Sequence, residues 1–171
     1  DKPSSAQEIL SVIATKVKAE CEKALLKIPR ISIEPGRVIV GPAMVTIYKV
    51  GTTKEVSLAD GTTRWYVSVD GGMSDNIRPA LYEAQYSIAL ANRSSSAPLR
   101  KSRVVGKHCE TGDIIIRDVQ LPSDITPGDL LAVPATGAYG RSMASNYNHM
   151  TRPPVICVLN GKARSIIRRE T

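Results

Sequence analysis

The hydrophobic period of this chain changes once, at Pro29, and that change constrains the fold more than any other feature. Before it, Ile9, Ile13, Val17, Cys21 and Leu25 recur every four residues, flanked by Leu10, Ala14, Ala24 and Ile28. This is the apolar stripe of one α-helix, expected over 5–27. Ser5-Ala6-Gln7-Glu8 fits a capping box, with the Ser5 hydroxyl and the Glu8 carboxylate meeting orphan N–H groups of the first turn. Pro29 closes the segment, since proline has no N–H and crowds the turn before it. Beyond Pro29 the apolar residues fall in short runs rich in Val, Ile, Tyr and Thr. Strands are expected at 44–50, 64–70, 84–90, 99–106, 114–119, 130–133, 155–159 and 163–168, and Ile31-Ser32-Ile33 alternates as well. Turn signals separate them: Glu34-Pro35-Gly36-Arg37, Asp60-Gly61, Asp70-Gly71-Gly72, Thr126-Pro127-Gly128-Asp129 and the hairpin pair Asn160-Gly161.

One helix followed by about eight short strands is a segregated pattern. It implies a mainly β chain, an antiparallel sandwich or barrel behind a helical appendage. A chain of 171 residues can bury a core without disulfide or metal staples. No apolar run approaches the roughly 18 residues of a membrane span. The opening Asp1-Lys2-Pro3-Ser4-Ser5 has neither an initiator Met nor a basic-then-apolar leader, and reads as a chain that starts in the middle of something.

The net charge of +7 is concentrated, because residues 93–107 hold five basic and no acidic side chains. Such a cluster can bind phosphate, but no aromatic stacking partners surround it, so a solvated loop leading into a strand is expected and nucleic acid is not. Cys21, Cys109 and Cys157 form no C-x-x-C pair, and His108 and His149 stand far apart, so no metal site is expected. Three thiols without a secretory signal suit a reducing cytosol, hence a cytoplasmic protein. Cys21 and Cys157 lie in apolar stretches and are expected in the core.

Three stretches carry more polar chemistry than a β-domain needs for folding. Glu34-Pro35-Gly36-Arg37 places a carboxylate and a guanidinium across a rigid turn, where an ordinary surface turn is the bland alternative. Residues 71–82 pair two glycines with Arg78 and Tyr82, and a structural loop is equally compatible with that spacing. His108-Cys109-Glu110-Thr111-Gly112-Asp113 puts a thiol at a strand-to-turn boundary, where it can exchange protons. His108 and Cys109 would point to opposite faces of a strand, which argues against a Cys-His nucleophilic pair.

Taken in order, Glu34-Pro35-Gly36-Arg37, Asp70-Gly71-Gly72-Met73-Ser74-Asp75-Asn76 with Arg78-Pro79-Ala80-Leu81-Tyr82, Cys109-Glu110-Thr111-Gly112-Asp113, and Thr136-Gly137-Ala138-Tyr139 with Met143-Ala144-Ser145-Asn146-Tyr147-Asn148 resemble the C-terminal part of the diaminopimelate decarboxylases. These belong to the alanine-racemase-like class of enzymes that use pyridoxal 5'-phosphate (PLP). The resemblance runs from about residue 31 to the end and implies two parts: residues 1–36 as the trailing helix and strand of a PLP-binding TIM barrel, and 37–171 as a Greek-key β-domain. It implies that Glu34 faces the cofactor's pyridine nitrogen and that Gly36, Arg37 and Tyr139 lie by its phosphate, with Arg37 and Tyr139 also at the substrate. Arg78 and Tyr82 would recognise the far end of meso-diaminopimelate, with Arg78 on its distal carboxylate. Glu110 would take the distal ammonium, and Cys109 would donate the proton that replaces carbon dioxide. The active site would be shared across a homodimer, with Cys109 and Glu110 reaching into the partner's site. The lysine that holds the cofactor belongs to the barrel and matches no lysine here, so this segment alone is expected to be inactive. A related decarboxylase of basic amino acids or carboxylated polyamines, and a non-catalytic dimerisation or regulatory β-domain, are the alternatives.

Overall fold

The computed structural model describes residues 4–171, so the reading of Asp1, Lys2 and Pro3 lies outside the described residues. The chain divides into two units, Asp1–Ile39 and Val40–Thr171.

In the first unit, helix α1 spans Ala6–Lys23, and the capping box forms as expected. Glu8 N–H donates to Ser5 Oγ at 3.2 Å, and Ser5 N–H donates to Glu8 Oε2 at 2.6 Å. The helix stops at Lys23, earlier than the expected end at residue 27. Leu25 takes the left-handed conformation (φ +54°), Leu25 N–H reaches Glu22 O and Leu26 N–H reaches Cys21 O, which together make a Schellman closure. The backbone therefore turns away before the apolar period ends. Leu10, Ile13, Ala14, Ile31 and Ile33 line one open apolar cleft. Two isoleucines are too little cover for an eighteen-residue helix, and no residue of α1 is buried. Cys21 is accordingly half-buried, not core. Ile31–Ile33 pairs with no strand among the described residues.

A short helix α2 (Arg37–Val40) crosses the division between the units. The second unit then runs β1 (Val45–Ser57), β2 (Thr63–Val69), helix α3 (Arg78–Tyr82), β3 (Ala89–Leu90), β4 (Leu99–Val105), β5 (Ile114–Pro122), β6 (Leu130–Pro134), helix α4 (Gly140–Met143), β7 (Val155–Leu159) and β8 (Lys162–Ile167). Six strands form one sheet curled into a half-barrel, in the order β3-β6-β1-β2-β4-β5, while β7 and β8 form a separate hairpin. The mainly β expectation is met. Its pairings are antiparallel except β2 with β4, which run parallel with residues 70–98 crossing between them. Val50, Val67, Val104, Ile115, Leu121, Leu131 and Val133 fill the concave core at 2% exposure or less.

The turns form where the sequence places them. Gly61 (φ +78°) closes β1 to β2, and Asn160 and Gly161, both at positive φ, close β7 to β8 as a primed turn. The strand expected at 84–90 shrinks to Ala89–Leu90. Glu83, left-handed at φ +51°, ends α3, and residues 84–88 stay extended without a ladder partner. Cys157, expected in the core, is exposed, because the β7–β8 hairpin has no layer packed on it among the described residues.

The basic stretch 93–107 becomes framework. Arg93 grips Asp129 bidentately at 2.9 and 2.8 Å and also donates to Asp124 at 2.9 Å. On β4, Arg100 pairs with Glu55 above the Trp65 ring, and Arg103 donates to Arg117 O at 2.9 Å.

Candidate functional site

The parallel pair of strands creates the site. Because β2 and β4 run the same way, the loops that follow them leave the same end of the sheet. Strand β6, antiparallel to β1 with Val45 opposite Pro134, ends there too. Three connections therefore meet: residues 70–83 after β2, 106–113 after β4, and 135–149 after β6. They carry Arg78 and Tyr82, Cys109 and Glu110, and Tyr139, so one end of one sheet gathers every residue singled out in this unit.

One carboxylate ties the first two loops. Asp113 is 3% exposed, and its Oδ1 accepts Met73 N–H at 2.6 Å while its Oδ2 accepts His108 N–H at 2.7 Å. The fit is tight enough to dictate glycine around it. A Cβ on Gly72 would lie 2.7 Å from both carboxylate oxygens, and one on Gly106 would overlap the carboxylate outright. Beside this knot, buried Tyr48 donates to Asp75 Oδ2 at 2.7 Å, and Gly72 N–H donates to Asp75 Oδ1 at 2.7 Å. Burial pushes the Tyr48 phenol well above its usual range, reinforced by Asp75, and burial likewise raises the Asp75 carboxyl. A Cβ on Gly71 would enter the Tyr48 ring.

These loops hold Cys109 and Glu110 exposed on a bend directly after buried His108. Adjacent residues thus face opposite ways, as expected, though on a bend and not a strand. His108 Nε2 shares a 2.9 Å hydrogen bond with Ser74 Oγ. The Glu110 carboxylate accepts the Tyr147 hydroxyl, and that bond raises the Tyr147 phenol above its ordinary value. Arg78 donates Nε–H to Tyr86 Oη at 3.1 Å and lies 5.3 Å over the Tyr82 ring, itself 58% exposed. Tyr139 is also exposed and sits left-handed (φ +65°) at the start of α4, where Gly137 leaves no room for a side chain beside the Val40 carbonyl.

Glu34, Gly36 and Arg37 lie in the N-terminal unit, exposed on a turn with Gly36 at φ +52°. Taken by chemistry alone, the Glu34 carboxylate suits a protonated pyridine nitrogen and the Arg37 guanidinium suits a phosphate, and Tyr139 of the second unit carries an exposed phenol. No group of His, Cys, Asp or Glu among the described residues could hold a metal ion, and no helix there is long and apolar enough to cross a membrane.

Sequence reasoning singled out no role for Asp113, Tyr48, Asp75, Ser74 or Tyr147. The one signal that could have found them is the density of glycine around single acidic residues, since a buried carboxylate fed by backbone N–H groups demands close approach.

Comparison with known proteins agrees with this architecture. A family model described as the C-terminal sheet domain of pyridoxal-dependent decarboxylases matches residues 11–137. The chain is 52% identical over all 171 residues to a diaminopimelate decarboxylase of Mycobacterium tuberculosis (strain H37Rv), covering 38% of it. It is 49% identical, also over its full length, to one from Mycobacterium leprae, covering 36%. Among solved structures, a diaminopimelate decarboxylase from M. jannaschii in co-complex with L-lysine superposes with a TM-score of 0.85 at 32% identity, over 100% of this chain and 37% of that one. The chain thus spans well under half the length of these relatives.

Proposed function

The chain belongs to the pyridoxal-dependent decarboxylases, whose C-terminal sheet domain it carries, and from that premise we propose that it is the substrate-recognising and dimerising part of a diaminopimelate decarboxylase. The whole enzyme converts meso-2,6-diaminopimelate to L-lysine and carbon dioxide. The observation that carries the reading is the placement of Arg78 and Glu110 on connections leaving the same end of one sheet, so that a dimer joined at that end can bring Arg78 of one copy and Glu110 of the other to one substrate. Diaminopimelate differs from lysine by a second carboxylate beside its distal ammonium, so its recognition needs one cation and one anion together. Arg78, fixed through Nε by Tyr86 and flattened on Tyr82, presents its terminal nitrogens for a bidentate grip on that carboxylate. Glu110 meets the ammonium. A substrate without the distal carboxylate would leave the guanidinium unpaired, which is how the site rejects lysine itself.

PLP, when bound, supplies the electron sink for release of carbon dioxide. Glu34 would hold the ring nitrogen's proton, and Gly36, Arg37 and Tyr139 would take part in holding the phosphate. Cys109, exposed on its bend, would return a proton to the carbon that lost carbon dioxide, a task an accessible thiol can perform. The active site is completed across a homodimer, and the protein works in the cytoplasm. The test is Arg78→Ala in the full-length enzyme. The preference for diaminopimelate over lysine, as the ratio of kcat/KM values, should fall by about two orders of magnitude. An unchanged ratio refutes the assignment.

A further inference from the structure

Glu110 alone is a poor specificity element. It sits exposed just after a bend, and a free glutamate there samples many rotamers, each carrying its charge somewhere else. Among the described residues its carboxylate has one side-chain partner, the Tyr147 hydroxyl on Oε1. The structure goes to some length to put that hydroxyl in place.

Tyr147 opens a turn in which Asn148 (φ +53°) and His149 (φ +57°) are both left-handed, a conformation asparagine tolerates but histidine adopts at a cost. Two sets of bonds impose it here. Before the turn, Ser145 N–H donates to Ser74 O at 2.8 Å, pinning the segment to the loop after β2. Around it, Asn146 Nδ2 donates to Met150 O at 3.1 Å and to Glu170 Oε2 at 2.6 Å, while Arg152 donates to Asn146 Oδ1 at 2.9 Å. The Arg152 backbone N–H also reaches Glu170, at 2.8 Å. The Tyr147 ring leans on buried His108, with centroids 5.5 Å apart and planes tilted by 58°. His108 in turn is fixed by Ser74 and by Asp113. Tyr147 and Glu110 are therefore held by the same knot of loops, one from each side.

We propose that Tyr147 is a positioning residue for substrate selection: its hydroxyl fixes Glu110 Oε1, so that the second carboxylate oxygen is aimed at an incoming primary ammonium. This rests on the reading of Glu110 given above. Tyr147 touches Glu110 and acts only through it.

The test uses the full-length holoenzyme and two ligands that differ only at the far end, L-lysine and its isostere without the terminal ammonium, L-norleucine, with affinities measured by titration calorimetry. Tyr147→Phe keeps the ring and its packing on His108. L-lysine should then bind about tenfold more weakly, the ratio expected for losing a hydrogen bond to a charged group, while L-norleucine stays within about twofold. An equal loss for both ligands makes Tyr147 merely structural and overturns the proposal. No loss in Tyr147→Phe, while Glu110→Gln abolishes the preference for lysine, overturns the proposal and leaves the reading of Glu110 standing. A preference untouched by Glu110→Gln sinks that reading, and the proposal with it.

Discussion

Replacing Asp113 by asparagine tests how the site is held together. The two side chains have nearly the same shape, so packing against Gly72 and Gly106 is kept and only the acceptor chemistry changes. Asp113 accepts two backbone N–H groups, from Met73 at 2.6 Å and His108 at 2.7 Å, at 3% exposure. Asparagine offers one carbonyl oxygen, so one of those N–H groups must face an NH₂ group. Hydrogen bonds to a charged acceptor contribute roughly 1.5–3 kcal/mol, and a buried donor left unmatched costs about 1–3 kcal/mol, two descriptions of largely the same loss. The expected destabilisation is about 3 kcal/mol. For a chain of this size that lowers the midpoint of thermal unfolding by roughly 6–12 °C. Circular dichroism melting gives the global number. Amide hydrogen exchange at Met73 and His108 gives the local one, and both amides should lose protection ahead of the Val67 and Val104 amides in the strand core. A loss below about 1 kcal/mol, or protection lost evenly across the sheet, would refute the claim that one carboxylate binds the two loops.

Two further outcomes follow from other parts of the fold. The Asp129 carboxyl is held well below the usual carboxylate range, first by hydrogen bonds from Arg93 and then by the Thr126 N–H, and Arg93 also lowers Asp124. A depressed carboxylate contributes stability that is complete above its unfolded value, about 4, and is lost as the pH falls through the lower folded value. Arg93→Ala removes the chief cause, so the stability gap to the parent should be widest near neutral pH and narrow toward about pH 2. A gap independent of pH, measured by urea unfolding, would contradict it. At the end of α1, Leu25 is 95% exposed and left-handed, so Leu25→Gly loses no packing and relieves the backbone. A net gain of about 0.5–1 kcal/mol is expected, read as slower exchange of the Leu26 amide, and faster exchange would show that the Leu25 conformation carries no strain.

What the sequence revealed and what it hid divide along a physical line. Local chemistry was legible. The capping box at Ser5 and Glu8, the primed turn at Asn160-Gly161 and the alternation through β2 each depend on residues within a few positions of one another. Pairing was less so. Residues 84–90 alternate as a strand should, with Tyr86 and Ile88 turned inward, yet only Ala89 and Leu90 find partners, Ala132 and Leu131 of β6. Burial at Cys157 and Cys21 was misjudged for a related reason: an apolar residue in a regular element is core only where a second layer covers it. The candidate residues were visible as motifs, but their meeting was not. It rests on the parallel pairing of β2 with β4, which no local pattern encodes.

Tyr147 shows how far that limit reaches. Its motif was visible, and its neighbours Asn146 and Asn148 suit a left-handed turn, but a tyrosine in a turn carries no mark of what it will touch. Its partner Glu110 is 37 residues away in sequence, and the bond exists only because β4 and β6 deliver their loops to one end of the sheet. The same topology explains why the glycines cluster. Gly71 makes room for the Tyr48 ring, and Gly72 and Gly106 make room for Asp113, which collects the His108 N–H from its own loop and the Met73 N–H from 40 residues away. The chemically capable residues, half-buried Arg78 and exposed Cys109, Glu110 and Tyr139, stand on the connections that follow β2, β4 and β6. Buried Tyr48, His108 and Asp113, with half-buried Asp75, are what keep those connections from moving apart. A half-barrel whose three connections are tied together at one end holds such residues at fixed separations.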